Sequence, residues 1–218
     1  MKKAMRFLLV ILISLLCFES FAQTIGIKGG LNLSNMFMEA DGDKEDLKMN
    51  PGFHIGGIVD FQFTDLLSLE TGLLLDTKGF KFKEEGSGYS YQEKLNLFYL
   101  DIPVVLKVSF DVGSNVKIYG AAGPYIGVGL TGKSKSEYVD QGNEGSDEEK
   151  IKWGNSDDDH LKRLDYGLEF SAAVEIKAIL IGISYDLGLA NAFTSSDYDV
   201  KIKNRVIRVS IGFWFGKN

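Results

Sequence analysis

Shortages shape the first reading of this 218-residue chain. Cysteine occurs once, at Cys17, so no disulfide is available within the chain. Histidine occurs twice, at His54 and His160, and proline three times. Past the first eighteen residues no apolar run is long enough to cross a membrane as a helix. If the chain sits in a membrane, a closed barrel of strands is the remaining solution, because only helices and closed barrels satisfy every backbone polar group in hydrocarbon. The formal charge of −6, without a basic stripe, argues against nucleic acid.

What is present starts with the N-terminus. Lys2, Lys3 and Arg6 precede an apolar run from Phe7 to Phe18, and Ser20-Phe21-Ala22 fits a small-x-small cleavage site. Residues 1–22 are therefore expected to be a signal peptide and 23–218 a single domain. Cys17 follows Leu16, where a lipidation motif wants a small residue, so a lipoprotein leader is the lesser reading.

Beyond the leader the dominant signal is alternation with period two. From Leu100 the even positions are Leu100, Ile102, Val104, Leu106, Val108 and Phe110, and the odd ones include Asp101, Lys107 and Ser109. Successive side chains on a strand point to opposite faces, so this is one apolar and one mostly polar face. Asp111-Val112-Gly113-Ser114-Asn115 is turn chemistry, and Val116 to Leu130 alternates again. Further alternating stretches lie near 24–35, 52–63, 67–77, 163–176, 179–187 and 204–215. The connections between them run long, short, long, short, with polar segments at 35–51, 83–93, 131–162 and 191–203. This rhythm predicts an all-β fold, an eight-stranded antiparallel up-and-down transmembrane β-barrel. An even strand count puts both termini on the periplasmic side. Pro103 and Pro124 fall inside strands, where bulges are one way to accommodate them.

The two faces differ in kind. One is nearly continuous in Leu, Ile, Val and Phe; the other carries Glu70, Asp101, Glu169, Glu175 and Asp186 beside Lys28, Lys107, Lys117 and Arg208. An eight-stranded barrel is just wide enough for side chains to fill. Bulky apolar residues from every strand would overfill it, and Gly123, Gly127 and Gly129 lie on the polar face, where crowding needs small residues. The polar face is thus expected inside, as a packing network and not a conduction path, with the apolar face against lipid.

The segments IGIKGGLNLSN from Ile25, PGFHIGGIVDF from Pro51, LDIPVVLKV from Leu100, AAGPYIGVGL from Ala121, YDLGLANAF from Tyr185 and the closing NRVIRVSIGFWFG resemble the outer-membrane β-barrel family of Bacteroidota, often labelled "porin family" or PorT-like. The resemblance implies the outer membrane of a Gram-negative bacterium, with lipid, lipopolysaccharide and the barrel-assembly machinery as partners. It supplies no catalytic residue. One departure is the end of the chain, where Gly216-Lys217-Asn218 follow Phe215.

No catalytic, cofactor-binding or metal-ligating residue is assigned. His54, inside and near the outer rim, has no paired serine motif, and His160 ends the acidic loop. Asp147-Glu148-Glu149 and Asp157-Asp158-Asp159 lack the spacing of a calcium loop and read as solvated acid. Tyr99, Phe110, Trp214 and Phe215 are expected in aromatic girdles. The function expected is structural or interactive, with external loops presented to partners. Alternatives are a narrow solute pore, a part of a secretion machine, or a rim hydrolase. Recognition is expected in the acidic loop at about 131–162, for a cationic partner, with Trp153 as anchor.

Overall fold

A computed structural model describes residues 22–40, 43–86, 88–140, 143–156, 158–194 and 200–216. The leader reading and Cys17 lie outside the described residues. The described chain is antiparallel strand joined by turns: β1 (Ala22–Ala40), β2 (Asp43–Asp46), β3 (Asn50–Gln62), β4 (Leu67–Lys78), β5 (Lys81–Gly86), β6 (Tyr89–Gly113), β7 (Val116–Asp140), β8 (Asn143–Lys150), β9 (Leu164–Ile176), β10 (Ile179–Gly188) and β11 (Val200–Trp214). The order β6-β4-β3-β1-β11-β10-β9-β7 closes on itself through β6–β7 pairing. Those eight strands are the barrel wall, and the expected eight-stranded up-and-down fold stands.

Alternation decides the facing. Val104 is 39% exposed and its neighbour Val105 only 1%. Leu31, Ile55, Ile126, Ile183 and Ile211 are all exposed by half or more, so a belt of branched apolar side chains surrounds the wall. Inside are two apolar clusters. One, holding Ile58, Val105, Leu180 and Trp214, lies toward the end with the short turns, the start of β1 and the end of β11. The other, around Met36, Leu97, Tyr99 and Leu161, closes the opposite end, hereafter the mouth.

The polar segments contain more strand than expected. Residues 83–93 hold the tight hairpin of β5 and β6, and 131–162 hold the rest of β7 and all of β8. β6 and β7 run 25 residues each and leave the wall at a register shift, where Phe98 faces Thr131 but Tyr99 faces Gly129. Leu130 is the extra residue. Beyond it the strands carry polar side chains on a solvated sheet, which composition alone had suggested as loop. β5 pairs β6 and β8 pairs β7, giving a four-stranded sheet that stands beyond the wall. Gly79, with φ +142°, makes the step from β4 to β5; a Cβ there would strike the Leu95 carbonyl.

The prolines cause no bulge. Bonding lapses between Thr71↔Val104 and Leu74↔Asp101, and between Pro103↔Tyr125 and Leu106↔Ala122, yet register continues unchanged across both gaps. The Thr71 hydroxyl donates to the Pro103 carbonyl at 2.7 Å, satisfying an acceptor that lost its ladder partner.

Candidate functional site

The interior is built by register. Arg208 enters from β11 and is 2% exposed. Its Nε donates to Asp76 at 2.9 Å, Nη1 to Asp186 at 2.6 Å, and Nη2 to Asp101 at 3.2 Å; Nη2 also bonds Asp76, and Glu169 lies 3.5 Å from Nη1. Asp76, Asp101 and Asp186 bring oxygens together as a metal site would. Here the guanidinium stands among them and supplies the positive charge. Lys78 joins the group, 2.9 Å from Asp101 and 2.8 Å from Asp165, between the rings of Tyr99 and Tyr125. Toward the turn end Lys107 meets Asp60, Glu70 and Glu175 within 3.4 Å, and Lys28 meets Glu70 at 3.0 Å. This is the expected packing network, with Lys117 removed from it. Lys117 is half-exposed at the turn end, 3.6 Å from Asp111.

His54 is deep inside, 1% exposed, with a serine from the far end of the sequence beside it. His54 Nε2 lies 2.9 Å from Ser210 Oγ, and Nδ1 lies 2.7 Å from Asn32 Oδ1. Asn32 Nδ2 donates to the Phe53 and Thr77 carbonyls and to Asp76. Its Oδ1 is therefore an acceptor, Nδ1 of His54 carries the hydrogen, and Nε2 of the neutral ring accepts from Ser210. The order of groups is that of a nucleophile, a base and an orienting amide. Catalysis also needs room for a substrate carbonyl and donors for its oxyanion. Ser210 is 7% exposed and Asn32 fully buried, and none of the three lines a described cavity. What the arrangement does is tie β11, β1 and β3 together.

The mouth is closed by the acidic segment itself. Trp153, expected as an exposed anchor, folds inward and packs edge-on against Tyr99, centroids 5.5 Å apart. Gly129 leaves the space its ring fills; a Cβ there would collide with it. Leu161 pairs with both Trp153 and Phe193, and the Thr194 hydroxyl donates to the Asp159 carbonyl at 2.5 Å. Tyr99 and Trp214, expected in girdles, are wholly buried, because both fall on the inward parity of their strands. Phe110 and Phe215 do face outward.

The remaining candidates have local partners. His160 Nε2 is 3.6 Å from Glu149, and its Nδ1 accepts from the Lys152 amide at 3.4 Å. Asp159 accepts from the amide and hydroxyl of Ser156, which hold its carboxyl below the usual range. Glu148 is held 2.5 Å from Lys133. Asp157 lies outside the described residues.

The sheet beyond the wall has two unlike faces. The side continuing the barrel interior carries Phe82 and Glu84, Tyr91 and Glu93, Tyr138, and Asp147 and Glu149 in facing register. Tyr91 packs on Phe82 at 6.3 Å, and its phenol is raised above the usual value by partial burial and by Glu93. The side continuing the lipid-facing wall is rich in lysine.

A closed antiparallel ring with an apolar exterior, a charged and packed interior and strands long enough to cross a bilayer is an outer-membrane β-barrel. The sequence matches the family described as "Outer membrane protein beta-barrel domain" over residues 21–194, and the chain belongs to that family. Its location is the outer membrane. Similar solved structures include Ail, the attachment invasion locus protein of Yersinia pestis, at 17% identity (88% of this chain, 97% of that one, TM-score 0.36). OprG of Pseudomonas aeruginosa is 12% identical (89% and 97%, TM-score 0.43), and outer membrane protein W of Escherichia coli 14% (90% and 100%, TM-score 0.40). No curated protein matches the sequence.

Proposed function

We propose that this protein is a closed, non-catalytic surface barrel that recognises a protein partner through the sheet beyond its mouth. The carrying observation is the pairing of a filled lumen with an extended, two-faced sheet. Arg208 and Lys78 bridge the interior and Trp153 caps it, which leaves no wide aqueous path among the described residues. Tyr89 is 40% exposed and Tyr138 48%, both among carboxylates, and tyrosines on a rigid frame favour recognition. The acid around them suits a partner with a cationic surface. We place this sheet outside the cell and the termini in the periplasm. Insertion then depends on the barrel-assembly machinery, and the narrower Bacteroidota grouping rests on the motifs quoted above.

The test separates tip from cap. Replacing 136–147 by an Asn-Gly turn removes the β7–β8 tip but keeps Trp153. The expected protein assembles, migrates faster unheated than heated, and loses adhesion to cells or surfaces that the full protein supports. Discrete channel openings of the intact protein in planar bilayers would return the solute-pore reading. Unchanged adhesion after tip removal would move recognition elsewhere.

A further inference from the structure

We propose that Lys48, Lys81, Lys94 and Lys135 form a strip that binds the phosphate-bearing headgroups of the lipids around the barrel. The four are direct partners across the sheet: Lys48, in an isolated bridge between β2 and β3, faces Lys81 on β5, Lys81 faces Lys94 on β6, and Lys94 faces Lys135 on β7. Lys48 and Lys81 exchange two backbone hydrogen bonds, each 3.0 Å. Directly opposed residues on antiparallel strands project from the same face, with Cβ atoms roughly 5 Å apart, and like charges so placed destabilise a sheet. Here the like charges repeat three times in a row. Their chain neighbours Leu47, Phe80 and Leu95 pack into the mouth cluster, so the lysines point outward, on the face that continues the lipid-facing wall.

Compensation inside the sheet reaches only the two ends of the strip, at Lys135 and, at longer range, from Glu85 to Lys48. Lys135 has Glu137 at 2.5 Å, while Glu148, which faces Lys135, is taken by Lys133. Lys83 holds Glu85. Among the residues whose side chains are described, no carboxylate lies in ion-pair range of Lys48, Lys81 or Lys94. An anion from outside the chain is the natural partner.

The height of the strip selects the source. On β6 the outward series reads Phe98, Asn96, Lys94, and Phe98 packs on outward-facing Phe53 at 6.3 Å. Four residues along a strand rise about 14 Å, or roughly 10 Å along the normal at a barrel's tilt. Headgroups occupy about 5–8 Å beyond the hydrocarbon on each side, and a lysine stem bends back over several ångströms. The ammonium groups therefore reach phosphate depth while the backbone stays in water.

The experiment uses the full protein refolded into phosphatidylcholine vesicles, with trace spin-labelled phosphatidylglycerol or phosphatidylcholine. Electron spin resonance gives the motionally restricted fraction of each. The wild type should prefer phosphatidylglycerol by roughly fivefold, the weight of about one surface lysine, and lose that preference in high salt. The triple variant Lys48→Gln, Lys81→Gln, Lys94→Gln should fall to near parity, and the triple arginine variant should keep the preference. Heat-modifiable migration checks folding; if the glutamine triple does not refold, Lys94→Gln alone should lower the preference by half or more. Parity in the wild type, or an unchanged preference in the glutamine variants, overturns the proposal. Loss of the preference on adding inorganic pyrophosphate at the lipid's concentration assigns the strip to soluble phosphate and overturns the lipid reading.

Discussion

His54 and Ser210 hydrogen-bond at 2.9 Å across a strand to which neither belongs. Both are register partners of Gly30 on β1, and Gly30 has no side chain to come between them. A Cβ at Gly30 would strike the Val209 carbonyl. The first, second and last strands of the wall are joined at this point by side chains as well as by the ladder.

The bond should register as coupling. His54→Ala leaves Ser210 and Asn32 Oδ1 without their buried partner and should cost about 1–3 kcal/mol in urea unfolding from lipid vesicles. Ser210→Ala should cost less. The double variant should cost less than the two combined by about 0.5 kcal/mol or more; strict additivity would mean the contact contributes nothing.

Arg208 should be the least replaceable interior residue. Arg208→Met strands Asp76, Asp101, Glu169 and Asp186 together in a buried space. Breaking such a pair from one side costs about 3–5 kcal/mol, so assembly should fail or the unfolding midpoint fall sharply. Adding Asp186→Asn should recover part of the loss, read by the same midpoint.

Trp153 should be an element of structure. Gly129→Val, which fills the space of its ring, should red-shift the tryptophan emission and open the mouth to protease at 151–162. Replacing 137–159 wholesale removes the cap as well as the tip. Trp153 is half-buried, so the replacement should destabilise by less than the about 3–5 kcal/mol that deleting a fully buried Trp costs, whereas the shorter 136–147 replacement should not destabilise.

The wall itself is checked by neighbouring residues. Val104→Arg puts a cation against hydrocarbon and should cost about 2–4 kcal/mol of folding stability in vesicles. Val105→Arg should instead overpack the apolar cluster with Trp214 and Tyr119. Addition of short-chain lipid, which thins the bilayer, should relieve only the first.

Much of this fold was legible because membrane strands repeat with period two over ten or more residues. That pattern located the eight wall strands and put Val104 outside and Asp101 inside. It failed where the strands leave the bilayer. Past Phe98 and Leu130 the outward residues become lysine and glutamate, and a solvated strand then reads like a loop. Trp153 was misjudged for a related reason: a tryptophan among charges looks like an exposed anchor, and only the glycine opposite it shows where the ring goes. Ser210 could have been matched to His54 by pairing last strand with first and counting register. That step needs the closure geometry, which alternation within single strands does not contain. Lys78 was lost where alternation blurs, at the end of β4.

The seam between β1 and β11 joins the first wall strand to the last over fifteen consecutive partners, from Gly26↔Trp214 to Ala40↔Val200. None of those pairs can exist until β11, the last strand of the wall, has arrived. A slip of one residue there would turn Arg208 out of its carboxylate cage and into hydrocarbon, and offer His54 a valine or isoleucine in place of Ser210. The interior thereby acts as a proofreader for the last strand to arrive: only the correct closing register makes every buried charge and the His54 bond at once. A barrel of this kind would be slow to seal and slow to open, and its quality control is written in the lumen and not in the wall.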